Sequence, residues 1–271
     1  MKSVKLKYGM KDEQLVHISD VDSGLACGCT CVSCGESLVA KKGQKRENHF
    51  AHSSGKSCAH AVETAIHLAA KEILDQYREI KLPPVSIRFE TNRASCKISD
   101  EKLITIDSLK IEKGVNGLVP DLIATVHGRD LFVEVFVTHS VDERKKKKIE
   151  ELGVSAIEID LSNAPRDMSK DALKELVINS VDNKKWIYNA RGKHEFQRML
   201  RQTRPLEMTP RGFASHIDHC PIKARTWRGK AYANFIDDCV YCEHCVDVSE
   251  GNVMCNGHIP SDAIYKPSFC S

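Results

Sequence analysis

The stretch from Val119 to His139 constrains the fold most, because it predicts two strands joined by a short turn. β-Branched residues are frequent on both flanks, and the candidate turn is His127–Asp130. One carboxylate lies on each strand, Asp121 on the first and Glu134 on the second. A chain that forms this hairpin brings two acids into one sheet.

The expected register of this hairpin pairs Val126 with Leu131 and places Asp121 opposite Phe136. Because side chains alternate between the faces of a strand, Asp121 and Glu134 then share a face as diagonal neighbours, roughly 7 Å apart. Two acids at that separation repel each other unless a cation lies between them, and hard divalent cations prefer oxygen ligands. The first hypothesis is therefore a metal site at these two carboxylates.

Twelve cysteines in 271 residues are the second constraint. The sequence has no apolar run of membrane-spanning length and no apolar signal segment at its start, so we expect a cytoplasmic protein without a membrane partner. In a reducing cytosol, cysteines are metal ligands more often than disulfides. They form two groups, Cys27–Cys58 and Cys220–Cys270, with only Cys96 between them. This distribution predicts two structural zinc modules around a cysteine-poor middle.

The front group predicts a zinc site built on a knuckle, Cys31-x-x-Cys34. A strand leaves the knuckle and returns to it, so His52 at the end of the return strand is the expected third ligand. The fourth ligand is Cys58 or, alternatively, His49. We favour Cys58, because His49 and His52 have opposite parity on a straight strand.

The tail group predicts a second zinc site, because closely spaced thiolates suit tetrahedral zinc. The preferred ligands are four thiolates: Cys220, Cys239, Cys242 and Cys255. Cys245 and His258 are alternatives. An iron–sulfur cluster is the less favoured reading of the same thiols, since the proline and fourth cysteine of ferredoxin-type runs do not follow.

The middle of the chain predicts a mixed α/β core. Apolar residues at helical spacing indicate a helix over 59–80, with Glu63, His67 and Lys71 as a polar stripe at intervals of four. After the hairpin come a lysine-rich helix at 141–152 and a strand at 155–161. The helix between two strands implies a crossover and a parallel pairing.

These residues resemble a known family. Pro120-Asp121 followed by Glu134 resembles the PD-(D/E)xK nuclease core, and the knuckle with HFAH and the E-x-x-x-H-x-x-x-K helix is similar to CoiA-like nucleases of bacterial competence. The resemblance covers roughly residues 14–162. It implies a restriction-endonuclease-like mixed sheet with flanking helices. It also implies that Glu63, Asp121 and Glu134 surround Mg²⁺ or Mn²⁺.

The chain departs from this pattern at Phe136, where the E-x-K motif has a lysine. Lys145 is the first candidate for the missing cation and Lys148 the second. His139 or Lys71 could substitute instead. The remaining alternative is a degenerate nuclease that only binds nucleic acid.

The expected organisation has four parts. They are an N-terminal zinc-binding module (1–58), a nuclease-like core (59–182), a basic linker or helix (183–213) and a C-terminal zinc-binding module (214–271). Lysines and arginines of the basic segment, with Trp186, Tyr188 and Phe196 nearby, could bind phosphates and stack on bases, or form a plain linker. The predicted function is metal-dependent hydrolysis of phosphodiester bonds, with DNA as the expected partner. The alternative is a non-catalytic nucleic-acid-binding protein.

Overall fold

A computed structural model of the protein describes residues 5–44, 47–56, 58, 60–89 and 95–267. Its helices are α1 (Ala61–Tyr77), α2 (Glu143–Leu152), α3 (Lys170–Lys174, continued by a π-helical segment at Glu175–Asn179) and α4 (Ala190–Leu200). The strands of the described residues are β1 (Tyr8–Lys11), β2 (Gln14–His17), β3 (Leu38–Lys41), β4 (His49–His52), β5 (Glu79–Leu82), β6 (Val85–Arg88), β7 (Ser95–Ser99), β8 (Lys102–Thr105), β9 (Ser108–Ile111), β10 (Leu122–Val126), β11 (Arg129–Phe136), β12 (Ser155–Asp160), β13 (Lys184–Tyr188), β14 (Arg204–Arg211), β15 (Ala214–Asp218), β16 (Arg225–Trp227), β17 (Lys230–Asn234), β18 (Cys245–Ser249) and β19 (Asn252–Cys255).

The chain divides into two compact units. The first comprises residues 1–83 and 101–188, and the second comprises 84–100 and 189–271. In the part of the chain that the structure describes, no helix combines the length and apolar character needed to span a membrane.

The first unit is built on a five-stranded sheet of order β13-β12-β11-β10-β9. Strands β11 and β12 are parallel and joined through α2, while the other neighbours are antiparallel. The predicted crossover is therefore confirmed, and the architecture is mixed α/β. The centre of the sheet is buried: Leu122, Val133 and Ile157 are fully enclosed.

Helix α1 is three residues shorter at its C-terminal end than the sequence pattern predicts. Arg78 adopts a left-handed backbone conformation (φ 52°) and caps the helix through its amide and the Leu74 carbonyl. The chain then continues as β5, which pairs with β8. The apolar face of α1 is buried as expected, with Ala70 and Leu74 inaccessible to solvent.

The β10–β11 hairpin differs from its predicted register by two residues. Val126 pairs with Arg129 rather than with Leu131. The turn consists only of His127 and Gly128, both with positive φ (47° and 73°). Left-handed backbone at both turn positions matches the strand twist and closes a hairpin in two residues.

This register changes the relation between the two acids. Continued by one residue beyond the Leu122–Val133 pair, it places Asp121 opposite Glu134 and not opposite Phe136. Asp121 itself lies just before the paired residues of β10. Its carboxylate contacts helix α1 and that of Glu134 contacts helix α2, and both acids line one cavity.

The second unit contains a six-stranded sheet of order β16-β17-β15-β14-β19-β18, together with the β6–β7 pair and α4. The structure distributes the predicted basic segment 183–213 over β13, α4 and β14. Asn189 begins α4 by accepting a hydrogen bond from the Gly192 amide. This segment therefore contributes to both units as regular secondary structure.

Candidate active site and metal centre

Three donors hold Asp121, which lies immediately before β10. Its Oδ2 accepts hydrogen bonds from the Val135 amide (2.8 Å) and from Nε2 of His67 (3.0 Å). Nζ of Lys71 lies 3.2 Å from Oδ1. The polar stripe of α1 thus points its second and third members at the first hairpin carboxylate.

Lys71 is the most buried lysine of this site, with a side chain only 2% exposed. Its ammonium also contacts Oε1 of Glu112 at 2.7 Å. A buried ammonium is costly unless charged partners surround it. The two carboxylates supply those partners, so the stripe is not a solvated helix face at this position.

Glu134 lies on β11, and its side chain is 5% exposed. Its Oε2 forms an ion pair with Nζ of Lys145 at 2.7 Å. Its Oε1 is buried and has no hydrogen-bond partner among the described residues. A buried carboxylate oxygen without a donor is unfavourable, and a bound cation would remove that cost.

Lys145 reaches Glu134 because α2 begins next to the end of β11. Asp142 caps the helix, with its Oδ1 accepting a hydrogen bond from the Lys145 amide at 2.7 Å. Lys148, three residues further along, donates instead to the Gly117 carbonyl at 3.1 Å. Of the two lysines proposed for the missing cation, Lys145 contacts one acid of the pair, Glu134.

The pKa values of the two acids are shifted in opposite directions. Burial raises the pKa of Glu134 to about 7, although the hydrogen bond and charge of Lys145 oppose the shift. Burial acts in the same direction on Asp121, but it is outweighed by the hydrogen bond and charge of His67, the Val135 amide and Lys71. These donors hold the pKa of Asp121 well below its usual range.

Glu158 is a buried acid of this site that sequence reasoning missed. It is the register partner of Glu134 on the parallel strand β12 and is inaccessible to solvent. Its Oε2 accepts a hydrogen bond from the Val141 amide at 3.0 Å, and Nζ of Lys185 lies 2.7 Å from Oε1. The sequence signal was available: Glu158 lies between the apolar residues Ile157 and Ile159, as Glu134 lies between Val133 and Val135.

The acids line a cavity of about 250 Å³. His139 and Lys145 also line it, as does Phe136, which occupies the motif's lysine position. Glu63 lines a separate cavity of about 370 Å³, in which His67 and His139 recur. Among the described residues, the carboxylates of these cavities do not form a group with all ligand atoms within 4.8 Å.

The front knuckle brings four ligand atoms together. Those of Cys31, Cys34, His52 and Cys58 all lie within 4.8 Å of one another. This Cys₃His cluster could hold a metal such as zinc.

Local structure explains the geometry of this cluster. The knuckle turns at Gly35 (φ 73°), whose amide donates to the Cys31 carbonyl at 2.9 Å. Pairing of β3 with β4 aligns Leu38 with His52, which brings the imidazole back to the knuckle. Nδ1 of His49 lies 2.9 Å from the Glu47 carbonyl, and His49 is not part of the cluster.

The tail cysteines pack into the core of the second unit. Burial raises the pKa of Cys239 to about 12, and four other described tail thiols add to the shift: Cys245, Cys220, Cys242 and Cys255. In the described part of the tail, neither these thiols nor His258 meet the 4.8 Å spacing of the front cluster. The predicted tail ligands are thus neighbours, but their geometry is looser than that of the front set.

One cysteine departs from the expectation of free thiols. Cys96, on β7, is disulfide-bonded. The other cysteines of the described chain are free, and Cys270 lies outside the described residues. The preference for metal binding over disulfide formation therefore fails at this position.

Comparison with known proteins gives one finding. Residues 26–61 match the family model described as the N-terminal domain of competence protein CoiA. No curated protein and no solved structure matched the chain. The matched segment contains the Cys₃His cluster, whereas Asp121 and Glu134 lie outside it. The resemblance to CoiA proteins is therefore supported at the front module.

Proposed function

We propose that this protein is a metal-dependent nuclease that hydrolyses phosphodiester bonds in DNA, with Mg²⁺ or Mn²⁺ bound by carboxylates. The observation that carries the proposal is the acid pair. Asp121 precedes β10 and Glu134 lies on β11, and both acids line one cavity. Oε1 of Glu134 is buried and has no hydrogen-bond donor among the described residues. Such a donor set fits a hard divalent cation.

Asp121 and Glu134 would hold the cation, with Glu158 as an additional oxygen ligand from the neighbouring strand. The family resemblance adds Glu63. A bound Mg²⁺ or Mn²⁺ supplies polarisation of a phosphoryl oxygen and a lowered pKa for the attacking water. The protein itself must keep the acids ionised and hold them at the correct spacing.

The cations of the site have distinct roles in this proposal. His67 and Lys71 stabilise the negative charge of Asp121, since both lie within 3.2 Å of its oxygens. Lys145 would take the role of the motif's lysine, which Phe136 cannot fill. Its ammonium contacts Glu134 directly. It would stabilise charge that develops on the phosphate.

The Cys₃His cluster is proposed as a structural zinc site. Four protein ligands fill a tetrahedral shell and leave no position for substrate, which separates it from a catalytic zinc. A second structural zinc on the tail thiols remains a proposal of the same kind. Similarity to the CoiA N-terminal domain suggests a competence-related function, in which DNA is handled.

The test is cleavage of supercoiled plasmid and linear DNA with Mg²⁺ or Mn²⁺. Asp121→Asn and Glu134→Gln should each lower the rate by at least about 100-fold. Glu143→Gln is the matched control, because this acid lies on α2 but its side chain is 89% exposed and pairs with Lys146. Absence of metal-dependent cleavage by the wild type, or full activity in both acid variants, would refute the proposal.

Two observations favour a second candidate, a non-catalytic nucleic-acid-binding protein. Phe136 replaces the motif's lysine, and Asp121 already contacts His67 and the Lys71 ammonium, which a metal would have to displace. In that case the wild type would bind DNA without cutting it. Asp121→Asn would then leave DNA affinity unchanged.

A further inference from the structure

The sheet of the second unit has one buried and one open face along β14–β17. Ile217 and Ala233 are each 1% exposed and pack among the buried tail cysteines. Residues that alternate with them along the strands point the opposite way. Asp218 pairs with Tyr232, and Tyr232 also pairs with Arg225, so these three positions lie on the open face.

The open face is rich in aromatic and cationic side chains. Trp227 pairs with Lys230 at the edge of the sheet, and its side chain is 67% exposed. His216 and Tyr232 lie next to each other, with ring centroids 5.5 Å apart. These four residues and Arg211 line a cavity of about 530 Å³. A widely exposed tryptophan in such a group indicates a binding surface.

Charge on this face favours a polyanion. Arg211 and Lys230 line the cavity, and Arg228 adds a third cation, with its Cζ 5.7 Å from the Trp227 ring. Asp218 is the acid of the lining and forms an ion pair with Arg211 at 2.6 Å. Cations beside exposed rings suit a ligand that combines phosphates with planar bases.

We propose that this open face binds single-stranded nucleic acid. Bases stack on Trp227 and Tyr232, while Arg211, Arg228 and Lys230 contact phosphates. A single strand is the committed occupant because its bases are free to leave their stack, whereas the bases of a duplex are paired. The site belongs to the second unit, and the carboxylate pair belongs to the first. This inference rests on the proposed function in one respect: both take nucleic acid as the partner.

The chain offers a direct spectroscopic reporter, because it has only two tryptophans. Trp186 is half-buried and donates a hydrogen bond to the Pro83 carbonyl at 3.2 Å. Trp186→Phe leaves Trp227 as the sole tryptophan. We expect saturable quenching of its fluorescence by an oligothymidylate of about twelve nucleotides, and no quenching by inorganic phosphate at equal charge.

Affinity is measured on the full-length protein by anisotropy of the labelled oligothymidylate, without Mg²⁺ or Mn²⁺. Trp227→Ala should weaken binding at least about fivefold, and Lys230→Gln should weaken it and reduce its salt dependence. Tyr241→Ala is the matched control, since Tyr241 is 77% exposed but does not line the cavity. Circular dichroism verifies that each variant is folded.

Four results would overturn the inference. Three concern affinity: unchanged affinity in Trp227→Ala, equally tight binding of duplex DNA, or equally tight binding of polyglutamate. The fourth is concentration-dependent self-association through Trp227 in place of oligonucleotide binding. These outcomes are independent of cleavage. A protein that binds the oligothymidylate through Trp227 but never cuts DNA supports this site and refutes the nuclease proposal.

Discussion

At the scale of single residues, Asp121 and Glu134 line one cavity, but their pKa values are shifted in opposite directions. Three donors surround Asp121 and favour its charged form, whereas Glu134 has one ammonium partner and one oxygen without a donor among the described residues. The difference follows from the environment, since each group titrates according to its burial and partners. Of the two acids, Glu134 therefore has the oxygen that a bound cation would stabilise most.

The raised pKa of Glu134 predicts a pH-dependent effect on stability. Its folded pKa of about 7 exceeds the ordinary value of 4.5, so the folded state binds more protons between these values and loses stability as pH rises. Glu134→Gln removes this loss. We expect the stability of the variant relative to wild type to increase by about 2 kcal/mol from pH 5 to pH 8. Urea unfolding of the metal-free proteins measures it, and a difference that is constant with pH would contradict the account.

The ion pair of Glu134 with Lys145 predicts which lysine matters for activity. Lys145→Met should lower the rate of metal-dependent DNA cleavage by about 100-fold, because charge at the acid pair is lost. Lys148→Met is the control, since that ammonium contacts a backbone carbonyl. Initial rates at saturating Mg²⁺ compare them. A larger loss in the control would move the catalytic role to Lys148.

At the scale of elements, the hairpin turn sets the position of the acids. Both turn residues have left-handed backbone, and a Cβ at Gly128 would meet no neighbouring atom, so any cost there comes from the backbone. Gly128→Ala should lower the free energy of unfolding by about 1–2 kcal/mol. Gly43→Ala is the control, because its site is equally open and its φ is not left-handed. Equal losses in both variants, measured by urea unfolding, would refute a turn-specific effect.

Periodicity predicted the elements that bury an apolar face, and missed what depends on turns and distant partners. Helix α1 and the parallel pairing of β11 with β12 followed from spacing and chain order. The hairpin register could not be predicted in the same way, because these residues permit a turn of two residues or of four. The structure has the two-residue turn, which matches the twist of the strands. The position of Glu158 could not be predicted for a related reason. This residue joins the acids only because β12 pairs with β11, which places it beside Glu134.

The sheet of the second unit was also missed by pattern reasoning. Its strands are short and partly exposed, and cysteines fill much of its core in place of aliphatic residues. The cysteine pattern therefore predicted metal ligands, whereas no apolar alternation predicted a sheet. The front cluster was predictable residue by residue, since Cys-x-x-Cys and a returning strand bring Cys31, Cys34 and His52 together locally, next to Cys58.

At the scale of the whole molecule, each unit carries a cysteine cluster, but only the front cluster has metal-ligand spacing among the described residues. We expect Cys34→Ser to remove one equivalent of zinc per chain from the purified protein and to lower its melting temperature. His49→Ala should retain that zinc. Elemental analysis measures the metal. Full zinc content in Cys34→Ser would contradict the assignment, and loss of a second equivalent in Cys239→Ser would support a tail site.

The proposed nuclease requires a divalent cation bound by the carboxylates of Asp121 and Glu134. Anomalous diffraction from crystals soaked in Mn²⁺ tests it most directly, because it locates the ion without assuming activity. We predict a peak about 2.2 Å from oxygens of both Asp121 and Glu134, with Lys145 or His67 displaced from its present partner. A map in which Mn²⁺ is bound elsewhere, and the ion pair of Glu134 with Lys145 is intact, would contradict the account.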